Sequence, residues 1–315
     1  MLIKLNFIIM RLLFLLLLAI FITNCKETSP FTFKVMAWNI LHGANDIPKG
    51  REKAIEIIRE INPDVILMIE TYGSGKEIAE ALGYNFHLIA PEGTPLDDKR
   101  TNLSIFSKFP FGERIDTEYP FYLGGRDIII DNQKIRFFSN WFHYLPWDNE
   151  PDKMGKTVKE LLEWEKNGKR NEMIQKVLPY IKQYAKESEL IPMIFAGDMN
   201  TPSHLDWNEK TKALHNNLVV PWRATKVLEE IGFIDSYRAM NPNPITHPGI
   251  TWDAEGKVDS HRIDYIFYKG SKLKAIKSET YNAFFNKPIK INDKEITYPS
   301  DHGFVVTSFQ LLKNE

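Results

Sequence analysis

Five short apolar runs in this chain end, begin or centre on an oxygen-bearing side chain. "FKVMAWN" closes at Asn39, "PDVILMIE" closes at Glu70, and "PMIFAGDMN" sets down Asp198 and Asn200. "RIDYIF" carries Asp264, and "SDHGFVV" places Asp301 and His302 directly ahead of the last run. Runs of this length are strands, and helical periodicity fills the gaps between some of them. "REKAIEIIREI" repeats Ala54, Ile55, Ile58 and Ile61 at helical spacing, and a shorter helix is expected over Lys76–Leu82. "YNFHLIA", "TNLSIFSKFP" and "RDIIIDNQKIRFFSNWFHYLP" read as strands, the last a hairpin about "DNQK". Residues 151–190 are charged and helix-like, and "TKVLEEIGFIDSYRAM" is a helix with a short extended segment. "HRIDYIFYKG" and "GFVVTSFQLL" are late strands, separated by a variable stretch over 275–298. Strands in both halves with helices between them predict an α/β fold in one domain, two packed sheets covered by helices. The excursion over 145–172, rich in Trp, Asp, Glu and Lys, is expected to lie beside the site.

The N-terminus reads separately. Lys4 and Arg11 precede the uncharged run Leu12 to Ile22, which is short for a bilayer span and has the flanks of a secretory signal. It ends in "ITNC", with the chain's only cysteine, Cys25. That placement suggests bacterial lipoprotein processing with a lipid on Cys25, although Ile22 and Asn24 depart from the usual small residues; a plain signal or an uncleaved anchor is the alternative. Residues 1–25 are therefore expected to be a signal, 26–32 a tether and 33–312 the functional domain, exported to the cell envelope, periplasm or extracellular face. The remaining chain has no cysteine and must rely on its core. With 40 basic against 41 acidic residues and no basic tail, it lacks the footprint of a strong nucleic-acid binder.

Acids and amides gathered at strand ends suit a hard divalent cation, which takes oxygen ligands and keeps water or phosphate in the rest of its shell. Glu70 carries particular weight: "VILMIE" is built to be buried, and a charge there needs a cation or a donor. Asp198 and Asn200 share a parity, so an extended chain points both to one side. His302 sits beside Asp301 in a turn, and His143 ends another strand. A histidine with an oriented carboxylate moves protons near neutral pH, as phosphodiester hydrolysis requires. His87 and His215 are expected to be packed or superficial; His42, His247 and His261 stay open.

Taken in order, "WNI", "VILMIE", "AGDMN", "RIDYIF" and "SDHGFV" resemble the endonuclease/exonuclease/phosphatase superfamily, which includes pancreatic-type deoxyribonucleases, abasic-site endonucleases, sphingomyelinases and inositol polyphosphate phosphatases. The resemblance runs from about residue 33 to 310 and implies a four-layer α/β sandwich, two mixed sheets flanked by helices. "TNLSIFSKFP" resembles a family segment too, with Lys108 where arginine is commoner. The resemblance implies that Asn39 and Glu70 hold Mg²⁺ (Mn²⁺ or Ca²⁺ as substitutes), with Asp301 assisting. It gives Asp198 the nucleophilic water, Asn200 a phosphate oxygen, and His302, held by Asp264, the scissile phosphate. His143 matches the second histidine of the deoxyribonuclease and sphingomyelinase branches.

"NTPSHLDW" falls outside that minimum. His204, Asp206, Trp207, Trp252, Arg262 and Asn102 are candidates for the substrate pocket, with loop capping as the alternative for His204 and Asp206. Trp38, Trp141, Trp147, Trp207 and Trp252 are candidates for an aromatic wall or for plain core. The expected function is an exported, membrane-tethered, Mg²⁺-dependent phosphoesterase acting on a phosphodiester or phosphomonoester, and a monomer is expected. A secreted nuclease, with nucleic acid only as substrate, is the alternative; a sphingomyelinase-like phospholipase and an inactive binding module stand behind it.

Overall fold

Alternation along β1 (Phe31–Asn39) decides the layering. Val35 and Ala37 face one way and join Leu67, Ile105, Phe137, Ile194, Ala196, Ile266 and Val305 in a buried core between two sheets. Met36 and Trp38 face the other way, against Ala54, Ile57 and Ile58 of α1 (Gly50–Ile61) and Ile78 of α2 (Gly75–Leu82). A strand covered on both faces must be apolar at every position, which is why "VILMI" of β2 (Val65–Ile69) shows no polar alternation. Each such fully buried aliphatic side chain contributes about 1.5–3 kcal/mol.

The structure, a computed structural model, describes residues 30–146, 151–252 and 261–312. Among them one six-stranded sheet runs β11-β14-β1-β2-β4-β3, adding β3 (Asn85–Ile89), β4 (Leu103–Ser107), β11 (Leu273–Tyr281) and β14 (Phe304–Leu311). The second runs β5-β6-β7-β8-β10-β9, from β5 (Phe111–Ile115), β6 (Leu123–Ile130), β7 (Gln133–Trp141), β8 (Met193–Asp198), β9 (Ile234–Asp235) and β10 (Asp264–Lys269). Its outer face packs Phe138, Met193 and Phe195 on α4 (Lys169–Ala185), which follows α3 (Val158–Lys166), and on α5 (Arg223–Glu230); α6 (Ser236–Met240) follows β9. Helix, sheet, sheet and helix thus form the expected four layers.

Within each sheet one parallel pair sits among antiparallel neighbours: β1 with β2, and β7 with β8. β10 and β14 run antiparallel to β8 and β1. The C-terminal ends of the parallel strands therefore lie beside the N-terminal ends of β10 and β14, and Asn39, Asp198 and Asp264 all fall at that edge.

The variable stretch over 275–298 holds strands. β11 pairs along β14, and β12 (Pro288–Ile291) and β13 (Lys294–Thr297) form a hairpin against α1. β11 escapes a pattern reading because it is an edge strand with a bulge between Ala275 and Lys277, which breaks the two-residue alternation. His87 on β3 is buried, and burial together with Arg126 and Arg114 pushes its imidazole down to about 4, so it packs as a neutral ring. His215 stacks on Trp207 with centroids 4.0 Å apart. No helix among the described residues is long and apolar enough to cross a membrane. The signal and Cys25 lie outside the described residues, as does Trp147.

Candidate active site

The chain leaves β1 through a turn that winds the wrong way. Leu41, His42, Gly43 and Ala44 have φ of 52°, 46°, 69° and 56°. Left-handed backbone costs roughly 1–2 kcal/mol per residue with a Cβ. The offsetting contacts all go to two strand-end residues. Leu41 N donates to Asn39 Oδ1 at 3.1 Å, His42 N to Glu70 Oε2 at 3.2 Å, and Gly43 N to the Glu70 carbonyl at 2.7 Å. Glu70 is itself at φ 58° and Tyr72 at φ 38°. Strain gathered on residues that point into one cleft is the signature of a functional constraint.

Asn39 joins the two sheets. Its Nδ2 donates to Glu70 Oε1 at 3.1 Å and to Asp198 Oδ2 at 3.2 Å. Asp198, fully buried at the end of β8, also accepts from Asn200 N at 2.8 Å and Asn200 Nδ2 at 2.9 Å. The second Asn200 amide proton goes to the Phe142 carbonyl at 2.9 Å. Asn200 sits at φ 49°, so its convergence with Asp198 comes from a left-handed turn and not from strand parity. Both its amide protons are engaged here, so it holds Asp198 in place, in contrast to the expected phosphate contact.

Gly197 answers a different need from the one its neighbours suggest. A Cβ there would lie 1.9 Å from the Asn140 carbonyl oxygen of β7. The glycine permits close approach of β7 backbone, not of substrate. Gly197→Ala is accordingly expected to destabilise the fold by about 1–3 kcal/mol or more, read as a lowered urea midpoint at unchanged slope.

Asp264 faces Asp198 across the β8–β10 pair, and His302 closes the group. His302 Nδ1 lies 3.0 Å from Asp264 Oδ2, and Nε2 lies 4.0 Å from Asp198 Oδ2. Thr251 Oγ1 accepts from Asp264 N at 3.1 Å, fixing the head of β10. Burial alone would lower the His302 imidazole, but Asp264 and Asp198 together hold it well above its ordinary value. It is an imidazolium paired with Asp264 and lying beside Asp198. Burial raises both carboxyls, Asp198 to about 8, with Asp264 as a further cause for Asp198.

His143, two residues beyond β7, is the opposite kind of histidine. Burial, then Arg170 and Lys169, lower its imidazole, and Leu145 N donates to its Nδ1 at 3.0 Å. A ring that accepts at Nδ1 and is neutral carries its proton on Nε2. Phe142 N donates to the Asp198 carbonyl at 2.9 Å, which ties this segment to the end of β8. Trp141, 5.7 Å from His143 between centroids, stacks on Tyr122 at 6.0 Å and 14°. Phe121 meets both edge-on, so an aromatic flank exists, built from Phe121, Tyr122 and Trp141.

Several expected pocket residues are structural. Asn102 is fully buried; its Oδ1 accepts from Glu70 N at 2.9 Å and its Nδ2 donates to the Phe121 carbonyl at 3.0 Å, so it positions Glu70. Arg262 binds Asp206 at 2.9 Å and Asp235 at 2.6 Å, and Arg238 binds Asp206 at 2.8 Å. His204 lies 2.8 Å from Thr225 Oγ1 and 2.6 Å from Glu229. Trp38 and Trp207 are buried core, the latter edge-on to Trp222. "SHLDW" therefore knits its loop to α5, to α6 and to Arg262 ahead of β10; Asp206, Trp207 and Arg262 also border a cavity of about 240 Å³ on that side. Trp252 is half-buried and bridges through its backbone to His261 and His302. His261 is buried, and His247 is exposed beside Thr246. His42, left open by the sequence, is exposed next to Glu70 with Asp46 at 2.7 Å; residue typing missed Arg170, which lies behind His143.

Hard oxygen donors line the Glu70 side. Glu70 is half-buried, Asp301 has a buried Oδ1 with no hydrogen bond among the described residues, and both act on the His42 imidazole. Asp198, Asp264 and His302 also bring one ligand atom each within 4.8 Å of the others. There the imidazolium already supplies the positive charge. One imidazolium does not balance Asp264, Glu70 and Asp301, and a divalent cation fits the remaining deficit.

The family model described as "Endonuclease/Exonuclease/phosphatase family" matches residues 36–302. The chain belongs to this family. Endonuclease/exonuclease/phosphatase proteins are metal-dependent phosphodiesterases, nucleases and phosphatases, and this chain is a metal-dependent phosphoric ester hydrolase. An uncharacterized protein of Caenorhabditis elegans, F14F9.5, is 27% identical over 96% of this chain and 100% of its own length. Among solved structures, D. rerio TDP2 complexed with single strand DNA product is 17% identical, with TM-score 0.56, 89% of this chain and 99% of that chain covered. An AP endonuclease from Archaeoglobus fulgidus is 17% identical, with TM-score 0.53, 87% and 98% covered. These two show the shared fold.

Proposed function

We propose that this chain is an exported, membrane-tethered, Mg²⁺-dependent phosphodiesterase. The observation that carries the diester assignment is the charge balance at the cleft. Glu70, Asp264 and Asp301 face one imidazolium, His302, and a neutral His143, with Asp198 pushed up by burial to about 8. Even with a divalent cation the cleft has no surplus positive charge, so a singly charged diester suits it better than a doubly charged monoester.

Glu70 and Asn39, with Asp301, would hold Mg²⁺, which would supply charge stabilisation at the phosphate oxygens. For Asn39 this means presenting its amide oxygen, and so turning the amide that here bridges Glu70 and Asp198. Asp198 orients the attacking water and takes its proton as the water oxygen bonds to phosphorus. His302, held by Asp264, places its positive charge where the phosphorane oxygens gain negative charge. His143 offers Nε2–H to the leaving oxygen as the P–O bond breaks; a neutral imidazole serves as a hydrogen-bond donor and not as a strong acid. The aromatic flank of Tyr122 and Trp141 borders that side.

Residues 26–315 with Mg²⁺ are expected to hydrolyse a bis-aryl phosphodiester, to lose all activity in EDTA, and to regain it on Mg²⁺ addition. Absence of hydrolysis with Mg²⁺, Mn²⁺ and Ca²⁺ alike overturns the diesterase reading. Export and tethering rest on Lys4, Arg11, the Leu12 to Ile22 run and Cys25. Labelled fatty acid should enter the full chain and not Cys25→Ser. A nuclease is the second reading, supported by the single strand DNA product bound to a TDP2 of the same fold. Plasmid nicking at moderate salt separates it from a small-substrate enzyme.

A further inference from the structure

The excursion over 145–172 carries charges that its own helices do not need. Arg170 stands in the first turn of α4, where a cation opposes the helix dipole, and it is wholly buried. Glu165 stands in the last turn of α3, also buried, and would be expected to face water as one of that helix's many charges. Both positions are unfavourable for the helices alone. They become intelligible from what they touch.

Arg170 Nε donates to the His143 carbonyl at 3.2 Å, and Nη2 donates to the Tyr144 carbonyl at 2.8 Å. Arg170 N donates to the Leu145 carbonyl at 2.9 Å. Three successive carbonyls are therefore held by one residue. Glu165 Oε1 lies 3.8 Å from Arg170 Nη1, and Glu165 Oε2 accepts from Arg223 N at 3.1 Å, which anchors the pair to α5. Gly168 allows this: a Cβ there would lie 2.2 Å from Pro146 Cδ, so the α3–α4 link lies flat on the held segment. The clamped peptide units set where Leu145 N points, and that N–H is the one donating to His143 Nδ1.

We propose that Arg170, backed by Glu165, is a positioning residue that fixes the orientation and Nε2–H tautomer of His143. The inference rests on the role given to His143 above. It assigns the α3–α4 pair a purpose: it is a brace behind His143. Guanidinium geometry matters here, because two donors of one planar fork meet carbonyls of adjacent residues, which an ammonium cannot do in the same way.

The test combines kinetics on a bis-aryl phosphodiester with ¹⁵N NMR of the His143 ring in the full-length domain with Mg²⁺. Arg170→Met is expected to lower kcat about 10–100-fold with KM within about twofold, the effect of a misplaced group and not of lost binding. Arg170→Lys should recover only part of this loss. His143→Ala should lower kcat too, and adding Arg170→Met to it should cause little further loss. The His143 Nδ1 resonance should move from that of an unprotonated nitrogen towards the averaged value of a ring exchanging its tautomers. Because Arg170→Met leaves Glu165 buried and unpaired, Glu165→Gln/Arg170→Met serves as the folded comparison, and it should show the same kinetic and NMR changes. An unchanged kcat in His143→Ala overturns the role of His143 and this inference with it. A fall in His143→Ala that multiplies in full with Arg170→Met, or a wild-type ¹⁵N spectrum in the folded double variant, overturns the positioning role alone.

Discussion

Asp198→Asn is expected to lower kcat by about 10³-fold while leaving the fold in place. Asp198 is an acceptor at every contact it makes: Asn39 Nδ2 at 3.2 Å, Asn200 N at 2.8 Å and Asn200 Nδ2 at 2.9 Å. Asparagine keeps the volume but turns one oxygen into a donor facing other donors, at a cost of about 1–3 kcal/mol. It also removes the only group in this cluster placed to take a proton from water on the side away from Asp264. Steady-state kinetics and a urea titration separate the two effects. A variant that keeps its stability and more than a tenth of wild-type kcat would remove Asp198 from the reaction.

Replacing His302 should have the largest effect on stability. His302→Gln leaves the buried Asp198 and Asp264 without the imidazolium that lies 3.0 Å from one and 4.0 Å from the other. Removing one partner of a buried charge group costs about 3–5 kcal/mol. Asp264→Asn/His302→Gln, which also removes the carboxylate most closely paired with the ring, is expected to recover most of that stability and none of the activity. Equal urea midpoints for His302→Gln and wild type would show that the ring is not charged in the fold.

These two expectations concern residues that a pattern reading reaches, and others in the same cleft do not have that property. Glu70 stands out in "VILMIE" because an acid at the end of a buried strand needs a partner, and the structure supplies Asn39 and His42 N. Asp198, Asp264 and His302 are legible for the same reason: each is a polar residue at the head or tail of an apolar run. Asn102 and Asn200 were legible as site residues but not in their roles. An amide has donor and acceptor ends, and only the neighbouring backbone shows which are engaged. "SHLDW" was misleading because an ion-pair network of Asp206, Arg238, Arg262 and Asp235 draws together residues from three separate segments. In sequence it looks like a set of spare polar groups.

The sequence by itself determined most of the strands and helices and the polar residues that finish the runs. Those follow from local periodicity, since side-chain direction repeats every two residues in a strand and every 3.6 in a helix. Tertiary structure alone decided how the runs meet. It set the parallel β1–β2 and β7–β8 pairs that bring the run ends to one edge, and the left-handed turn at Leu41–Ala44 that donates to Asn39 and Glu70. It also set the opposite charge states of His302 and His143. An imidazole takes its charge from what lies within a few ångströms of it, and in this protein those neighbours are distant in sequence: Asp264 and Asp198 for one ring, Arg170 for the other.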